Sequence, residues 1–189
     1  MLDLSNRTDF VTVAVVFEGS LAGLALALGW WLEVDPLAQF AWNWNGWLGG
    51  LAATVPMYVL FMIAYRFPFG PFRKIKQFLK DALGTSLVTC RWHDLLLVAL
   101  VAGAGEELLF RGVLHPKMGL LGSNFLFGLV HFITPTYAIA AGLIGTFMGW
   151  LLDFSGNLLA PILAHGLYDF AALIVIARDL RRQAAPPPG

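Results

Sequence analysis

The sequence has little charge and almost no cysteine. Charged residues make up 13% of its 189 residues, against about 25% in a typical soluble domain. The single cysteine, Cys90, excludes an internal disulfide and any metal site built from several cysteines. Lysine plus arginine equals aspartate plus glutamate at 12 each, so no net charge favours nucleic acid as a partner. Hydrophobic residues instead reach 58%, and the mean hydropathy of +0.72 favours lipid as the surrounding solvent.

The two ends of the sequence lack the usual targeting signals. The apolar run 10–32 is longer than the core of a signal peptide and has one preceding basic residue, Arg7, so we expect a retained membrane anchor. The C-terminus is not a prenylation box. Residues 184–189 are rich in proline and are predicted to be a disordered tail after a single transmembrane bundle at 1–183, with the core motifs within 91–177.

Long apolar segments predict an all-α, polytopic membrane helix bundle. A spanning helix needs about 20 mostly apolar residues. The apolar stretch 121–153 is divided by Pro135, which disfavours helix at the residue before it. About six transmembrane helices are predicted, at 10–32, 46–65, 92–113, 121–133, 136–152 and 155–177.

Basic residues predict how the bundle is oriented. Segment 69–84 alternates apolar and basic residues at helical spacing and is expected to be an amphipathic interfacial helix, the alternative being a solvated linker. Half of all lysines and arginines lie within 66–91, and three arginines follow the last span. The positive-inside rule then places both termini in the cytoplasm of a multi-pass plasma or inner membrane protein. Arg111 and Lys117 fall on the opposite side, in mild conflict with this orientation.

Six charged residues occur between positions 95 and 177, in segments that are predicted to lie within lipid, where a charge is unfavourable. Each costs about 2.5–3.5 kcal/mol at membrane depth, so they should face one another or a wet cavity. Two histidines are expected inside apolar helices of the same region, and His93 and His115 are expected at the surface. Asp153 is expected in a loop as a possible helix cap. The charged residues are Glu106, Glu107, Arg111, Lys117, Asp153 and Asp169, and the two intramembrane histidines are His131 and His165.

Helical spacing groups these residues into pairs. Glu107 and Arg111 are four residues apart and can neutralise each other, while Glu106 points about 100° away toward another partner. His165 and Asp169 also share a helix face. Each group has a purely structural alternative: glutamates at a helix end near water, and an aspartate that orients a histidine through a helix-internal hydrogen bond.

The chemistry that such groups support is hydrolysis. A glutamate beside a histidine can act as general base toward water, and a second histidine can stabilise a developing oxyanion. Neither Gly-x-Ser-x-Gly nor His-Glu-x-x-His occurs, so a serine nucleophile and a standard zincin helix have no support. A zinc site from Glu106, His131 and His165 is chemically possible, because two histidines and a carboxylate form a known catalytic set.

Three short motifs resemble a known family. Glu106-Glu107-Leu-Leu-Phe-Arg111 matches Glu-Glu-x-x-x-Arg, residues 127–131 match Phe-x-x-x-His, and residues 165–169 match His-x-x-x-Asn/Asp. In this order they resemble the CPBP family of CAAX proteases and bacteriocin-processing enzymes, also called the ABI family, which is related to the Ras-converting prenyl protease. The resemblance covers the C-terminal half of the chain.

The resemblance implies a role for each matched residue. Glu106 would activate water with help from His131, His165 and Asp169 would stabilise the oxyanion, and Glu107 and Arg111 would support the first helix. CAAX proteases carry asparagine where this chain has Asp169, and a carboxylate cannot donate a hydrogen bond unless protonated. The implied function is a glutamate-type intramembrane endopeptidase that requires no cofactor, with zinc a less favoured alternative. Its partners would be membrane lipid and a membrane-associated, potentially prenylated, peptide or protein.

Two other functions stay open at the level of sequence. The same fold could serve as a non-proteolytic immunity or scaffolding protein, for which Glu106 would be dispensable. The ionisable residues could also form the relay of a proton-coupled transporter, which would need access from both sides of the membrane.

Overall fold

The computed structural model describes residues 3–184, and within that range the chain forms helices and no strand. The prediction of an all-α protein is confirmed. The helices are α1 (Arg7–Leu32), α2 (Trp44–Arg66), α3 (Pro71–Thr89), α4 (Trp92–Glu107), a π-helical segment (Leu108–Leu114), α5 (His115–Val130), α6 (Pro135–Ser155) and α7 (Leu159–Ala184). Ala184, the first residue of the predicted tail, ends α7, and the rest of that tail lies outside the described residues.

Four of these helices are long and apolar enough to cross a membrane, namely α1, α2, α6 and α7. They make the chain a multi-pass membrane protein. The span predicted at 92–113 corresponds to α4 together with the π-helical segment, and α5 corresponds to the predicted short span. The count of six spans and the interfacial position of α3 stay predictions.

The break between α5 and α6 follows the sequence. Pro135 is the first residue of α6, where its fixed φ suits the helix and its missing N–H is not needed. Thr134 caps the helix, and its hydroxyl accepts a hydrogen bond from the Tyr137 N–H at 3.1 Å. The predicted interruption at this proline is confirmed.

The prediction that Asp153 lies in a loop is wrong. Asp153 lies inside α6, because that helix continues until Gly156 adopts the left-handed conformation (φ 61°) and ends it. The His115 side chain is only 12% exposed and its Nε2 lies 3.0 Å from the Asp153 carboxylate. The structure therefore places both residues on helices, in a pair that joins α5 to α6.

One end of the bundle is held together by charged side chains, and we call it the basic end. Arg7 of α1 donates to the Asp94 carboxylate of α4, at 2.5 Å from Nε and 2.6 Å from Nη2. Lys80 of α3 lies 3.1 Å from Asp179 of α7, which also accepts a hydrogen bond from the Tyr65 hydroxyl of α2 at 2.6 Å. These contacts bring ends of α1, α2, α4 and α7, and the middle of α3, to one side of the molecule.

The opposite end contains the α1–α2 and α6–α7 connections, and we call it the tryptophan end. The Asn157 amide donates to the Asn43 side chain at 2.8 Å and to the Ala41 carbonyl at 2.8 Å, which ties the two connections together. Four tryptophans at this end are more than two thirds exposed: Trp30, Trp31, Trp42 and Trp44. Exposed tryptophan is typical of a membrane–water boundary.

Helix α7 lies in the middle of the bundle and packs against α2 and α4. The α4–α7 contact is close because glycine faces glycine: a Cβ at Gly103 would lie only 2.7 Å from the backbone nitrogen of Gly166. Small residues let membrane helices approach at backbone distance. This crossing brings the glutamates at the end of α4 beside the histidine near the start of α7.

Candidate active site

Three helices deliver ionisable side chains to one place within the bundle. The Glu106 carboxylate at the end of α4 lies 3.7 Å from His131 Nε2 and 4.0 Å from His165 Nε2, measured from Oε2. Glu106 is 9% exposed, and this oxygen has no hydrogen-bond partner among the described residues. A carboxylate oxygen thus points between two imidazoles in a largely buried position.

Glu107 holds the neighbouring side chains in place. It is fully buried, and its Oε1 accepts a hydrogen bond from Arg111 Nη1 at 3.1 Å. The same oxygen lies 2.7 Å from His165 Nδ1. The structure therefore shows the predicted pair of Glu107 with Arg111, and it adds a link to α7.

Arg111 connects the π-helical segment to two further helices. Its Nη2 donates to the Asn124 side chain of α5 at 2.9 Å and to the Gly145 carbonyl of α6 at 2.7 Å. Its guanidinium lies 4.7 Å from the centre of the Phe127 ring, within the range of a cation–π contact. A Cβ at Gly145 would lie 3.0 Å from Nη2, so the absence of a side chain there makes room for the guanidinium. Arg111 is a buried structural hub rather than a group that faces the cavity.

The helix changes its winding directly after the two glutamates. From Leu108 to Leu114 it is π-helical, and the His115 N–H bonds to the Phe110 carbonyl five residues earlier. Single π-helical turns inside α-helices are frequent at functional sites because they alter the direction of side chains. No sequence pattern used above signals this segment, and it was not predicted.

His131 lies at the end of α5 and not within it. Its backbone (φ −91°, ψ 19°) forms the C-cap that follows Val130, so the expectation of a histidine inside a helix is wrong. The helix stops here because the cap of the next helix, Thr134, follows within three residues. Its Nδ1 lies 2.8 Å from the Phe127 carbonyl oxygen. A carbonyl can only accept, so Nδ1 carries the hydrogen and Nε2 faces Glu106.

His165 is oriented by Glu107 and not by Asp169. The carboxylate of Glu107, which is paired with Arg111, accepts from His165 Nδ1, and this leaves Nε2 directed toward Glu106. Asp169 Oδ2 lies 3.4 Å from the same Nε2 atom. Asp169 therefore lies beside the ring nitrogen that faces Glu106, where a carboxylate stabilises a positive charge on the ring.

The structure brings all six predicted site residues together, and it adds two that sequence reasoning missed. Asn124 accepts a hydrogen bond from Arg111. It carries no charge, and the candidate residues were identified as ionisable groups within apolar helices, so Asn124 was not among them. Glu18, in α1, has a buried carboxylate oxygen without a hydrogen-bond partner among the described residues, and its backbone carbonyl lies against Gly105, the residue before Glu106. As the sole acidic residue between positions 10 and 32, it was visible in the sequence.

Glu106, His131 and His165, the residues that could bind zinc, lie close together. Within residues 3–184 no group of three or more histidine, cysteine, aspartate or glutamate side chains already has the geometry to hold a metal ion. The two histidine nitrogens lie 3.7 and 4.0 Å from the Glu106 oxygen. Ligands at about 2.0–2.2 Å from a tetrahedral zinc lie roughly 3.3–3.6 Å apart, so a small movement of these side chains would reach that spacing, and the zinc alternative stays open.

Comparison with known proteins points to the same part of the chain. The family described as Type II CAAX prenyl endopeptidase Rce1-like matches residues 88–171. The matched region is 84 of the 189 residues, a little under half of the chain. It contains every residue of the predicted site, from Glu106 to Asp169.

Part of the chain is also similar to a curated bacterial protein. YpbD of Bacillus subtilis (strain 168), an uncharacterized protein, is 35% identical over 80 residues. The alignment covers 41% of this chain and 42% of YpbD, so the chain matches less than half the length of this relative. No solved structure matches the chain.

Proposed function

We propose that this protein is an intramembrane endopeptidase that hydrolyses a peptide bond in a membrane-associated peptide or protein, with Glu106 as general base. One observation carries the proposal: the Glu106 carboxylate oxygen lies between two imidazole nitrogens, at 3.7 and 4.0 Å. These separations are too long for direct hydrogen bonds and suit a bridging water. The match of residues 88–171 to a family of endopeptidases supports the same reaction class.

In the first step Glu106 takes a proton from water, and the oxygen attacks the carbonyl carbon of the substrate. His131 positions this water, because its Nδ1 hydrogen is bound to the Phe127 carbonyl and its Nε2 lone pair can accept the second O–H. The protonated Glu106 then transfers its proton to the leaving amine. The products are an amine and a carboxylic acid, which releases the second proton of the water to solvent as it ionises, and Glu106 returns to its starting state.

His165 stabilises the oxyanion of the tetrahedral intermediate. Its Nδ1 hydrogen is bound to Glu107, so donation to the substrate requires a second hydrogen on Nε2. Asp169, 3.4 Å from Nε2, favours the imidazolium that carries this hydrogen. In this proposal Asp169 acts on the charge of His165, whereas an asparagine at that position would donate to the oxyanion itself.

The proposal is tested with the full-length protein in liposomes and a library of membrane-tethered peptides, with and without a C-terminal prenyl group. We expect cleavage of at least one peptide, resistant to a chelator and absent from protein carrying Glu106→Gln. Cleavage that is lost on chelation and restored by zinc would replace the proposal with a metal mechanism at the same residues. Folded protein that cleaves no peptide would favour the immunity or scaffolding function.

A further inference from the structure

A cavity of about 490 Å³ lies at the basic end, away from the candidate active site. It is formed by the end of α3, the start of α4 and the last turns of α7. Its volume lies within the range of about 300–1,000 Å³ that is usual for small-ligand sites. The residues that line it are Val88, Thr89, Cys90, Arg91, Trp92, His93, Leu95, Ile174, Ala177, Arg178 and Arg181.

The cavity has positive charge and no acidic group in its lining. Arg91, Arg178 and Arg181 all contribute to it. The ion pairs at this end join Arg7 to Asp94 and Lys80 to Asp179, so within residues 3–184 no carboxylate pairs with any of the three arginines. Three unneutralised arginines around one cavity favour an anionic ligand.

Arg181 gives the cavity a fixed wall. Its Nε donates to the Val88 carbonyl at 3.1 Å and its Nη2 donates to the Cys90 carbonyl, so the guanidinium is held against the turn between α3 and α4. These bonds leave Nη1 for a ligand. The positive charge is thus pre-positioned, which lowers the ordering cost of binding.

The other side of the cavity is apolar. Leu95 and Ala177 are each 1% exposed and form its inner surface, and Trp92 at its rim is 63% exposed. A basic rim above an apolar wall, beside an exposed tryptophan, matches a phosphate ester joined to an acyl chain at the membrane boundary.

We propose that this cavity binds the phosphate headgroup of an anionic phospholipid, with the first part of the acyl chain against the exposed ring of Trp92. Leu95 precedes Glu106 by eleven residues, about 16 Å along α4, so the lipid would not touch the candidate active site. The proposal therefore does not depend on the proposed proteolytic function, and its test needs no substrate.

The test measures binding of phosphatidylglycerol to the purified full-length protein in non-ionic detergent, by native mass spectrometry and by the shift of the thermal unfolding midpoint. Phosphatidylcholine and inorganic phosphate are the comparison ligands. We expect phosphatidylglycerol to bind and to raise the midpoint, with little effect from the other two. An equal effect of inorganic phosphate, or of phosphatidylcholine, would overturn the proposal.

The matched variants compare charge inside and outside the cavity. Arg91→Gln with Arg178→Gln removes two exposed cavity charges, and Arg73→Gln with Lys74→Gln removes two charges from α3 outside the cavity. We expect the first pair to weaken phosphatidylglycerol binding by about thirtyfold, since each basic residue near an anionic lipid contributes roughly a fivefold factor. Equal weakening by the second pair would show general attraction to the membrane and would overturn the proposal. Arg178→Lys alone keeps the positive charge and Arg91. Binding of phosphatidylglycerol by this variant at the wild-type level would support the proposal.

Discussion

Arg111 is fully buried, and its charge is balanced by one equally buried carboxylate, Glu107. Breaking such a pair on one side leaves an uncompensated charge, whereas replacing both partners by neutral groups leaves none. Arg111 also donates to two other helices, so it combines charge balance with the placement of α5 and α6. At the scale of single residues, this cluster is where stability and the candidate site depend on the same atoms.

The first prediction compares Arg111→Met with the double variant Glu107→Gln, Arg111→Met. We expect Arg111→Met alone to lower the free energy of unfolding by about 3–5 kcal/mol, because it leaves the buried Glu107 carboxylate without its positive partner. The double variant should recover part of this loss, since glutamine keeps a hydrogen-bond acceptor for His165 without the charge. Reversible unfolding in mixed micelles measures both. A double variant as unstable as the sum of its single variants would contradict the charge-balance explanation.

The second prediction concerns Asp169, where the related proteases carry asparagine. We expect Asp169→Asn to keep peptide cleavage within about tenfold of the wild type, since an amide can donate to the oxyanion directly. Asp169→Ala should lose roughly a hundredfold in kcat, because it neither donates nor stabilises a charged His165. Steady-state cleavage of one verified peptide separates the two variants. Equal activity of the alanine variant and the wild type would remove Asp169 from the site.

Among elements, the contact of α4 with α7 sets the position of the site. Gly103 meets the backbone of Gly166, and three residues later Glu106 meets His165. A side chain at this crossing would separate the helices and move the carboxylate from the imidazole. The distance between α4 and α7 thus depends on Gly103, which has no side chain.

The third prediction compares two glycine-to-alanine changes. A Cβ at Gly103 would lie 2.7 Å from Gly166 N, while a Cβ at Gly23 in α1 would have no atom within 4 Å. We expect Gly103→Ala to destabilise the protein by about 1–3 kcal/mol and to lower cleavage. Gly23→Ala should stabilise it by about 0.5–1 kcal/mol through helix propensity, with unchanged cleavage. Thermal unfolding and cleavage assays on both variants check this, and equal stability of the two would contradict the close crossing.

Elements also show how far the sequence could predict the structure. The helix break at Pro135 and the pair of Glu107 with Arg111 follow from local rules, because both depend on residues within one helical turn. The contact of His165 with Glu107 joins residues 58 positions apart, and helical spacing does not fix the rotation of two helices. The π-helical segment and the pair of His115 with Asp153 depend on packing between helices. For that reason the sequence predicted that these residues would lie together, but it did not predict that Glu107, and not Asp169, would orient His165.

For the whole molecule, the depth of the site is set by the two ends of the bundle. Glu106 lies fourteen residues after Trp92 at the basic end, about 21 Å along the helix, while His165 lies six residues after Leu159 at the tryptophan end, about 9 Å. The site is therefore nearer to the tryptophan end. If the basic end is cytoplasmic, as its six basic residues at 66–91 predict, the site lies nearer the outer face.

The fourth prediction tests this orientation with single cysteines in a Cys90→Ser background. Ala38→Cys places a thiol in the exposed α1–α2 connection, and Arg182→Cys places one in the exposed last turn of α7. We expect a membrane-impermeant thiol reagent to label the first variant in intact cells and the second only after permeabilisation. The reverse pattern would place the basic end outside and the candidate site nearer the cytoplasm.

The proposed mechanism depends most on Glu106 as the residue that activates water. The direct measurement is the single-turnover rate of cleavage of one verified membrane-tethered peptide by Glu106→Gln, beside Glu33→Gln, which changes an exposed glutamate at the end of α1. We predict that Glu106→Gln lowers the single-turnover rate at least about a hundredfold and leaves the unfolding midpoint unchanged. Glu33→Gln should cleave at the wild-type rate. Cleavage by Glu106→Gln at the wild-type rate would contradict the proposed mechanism.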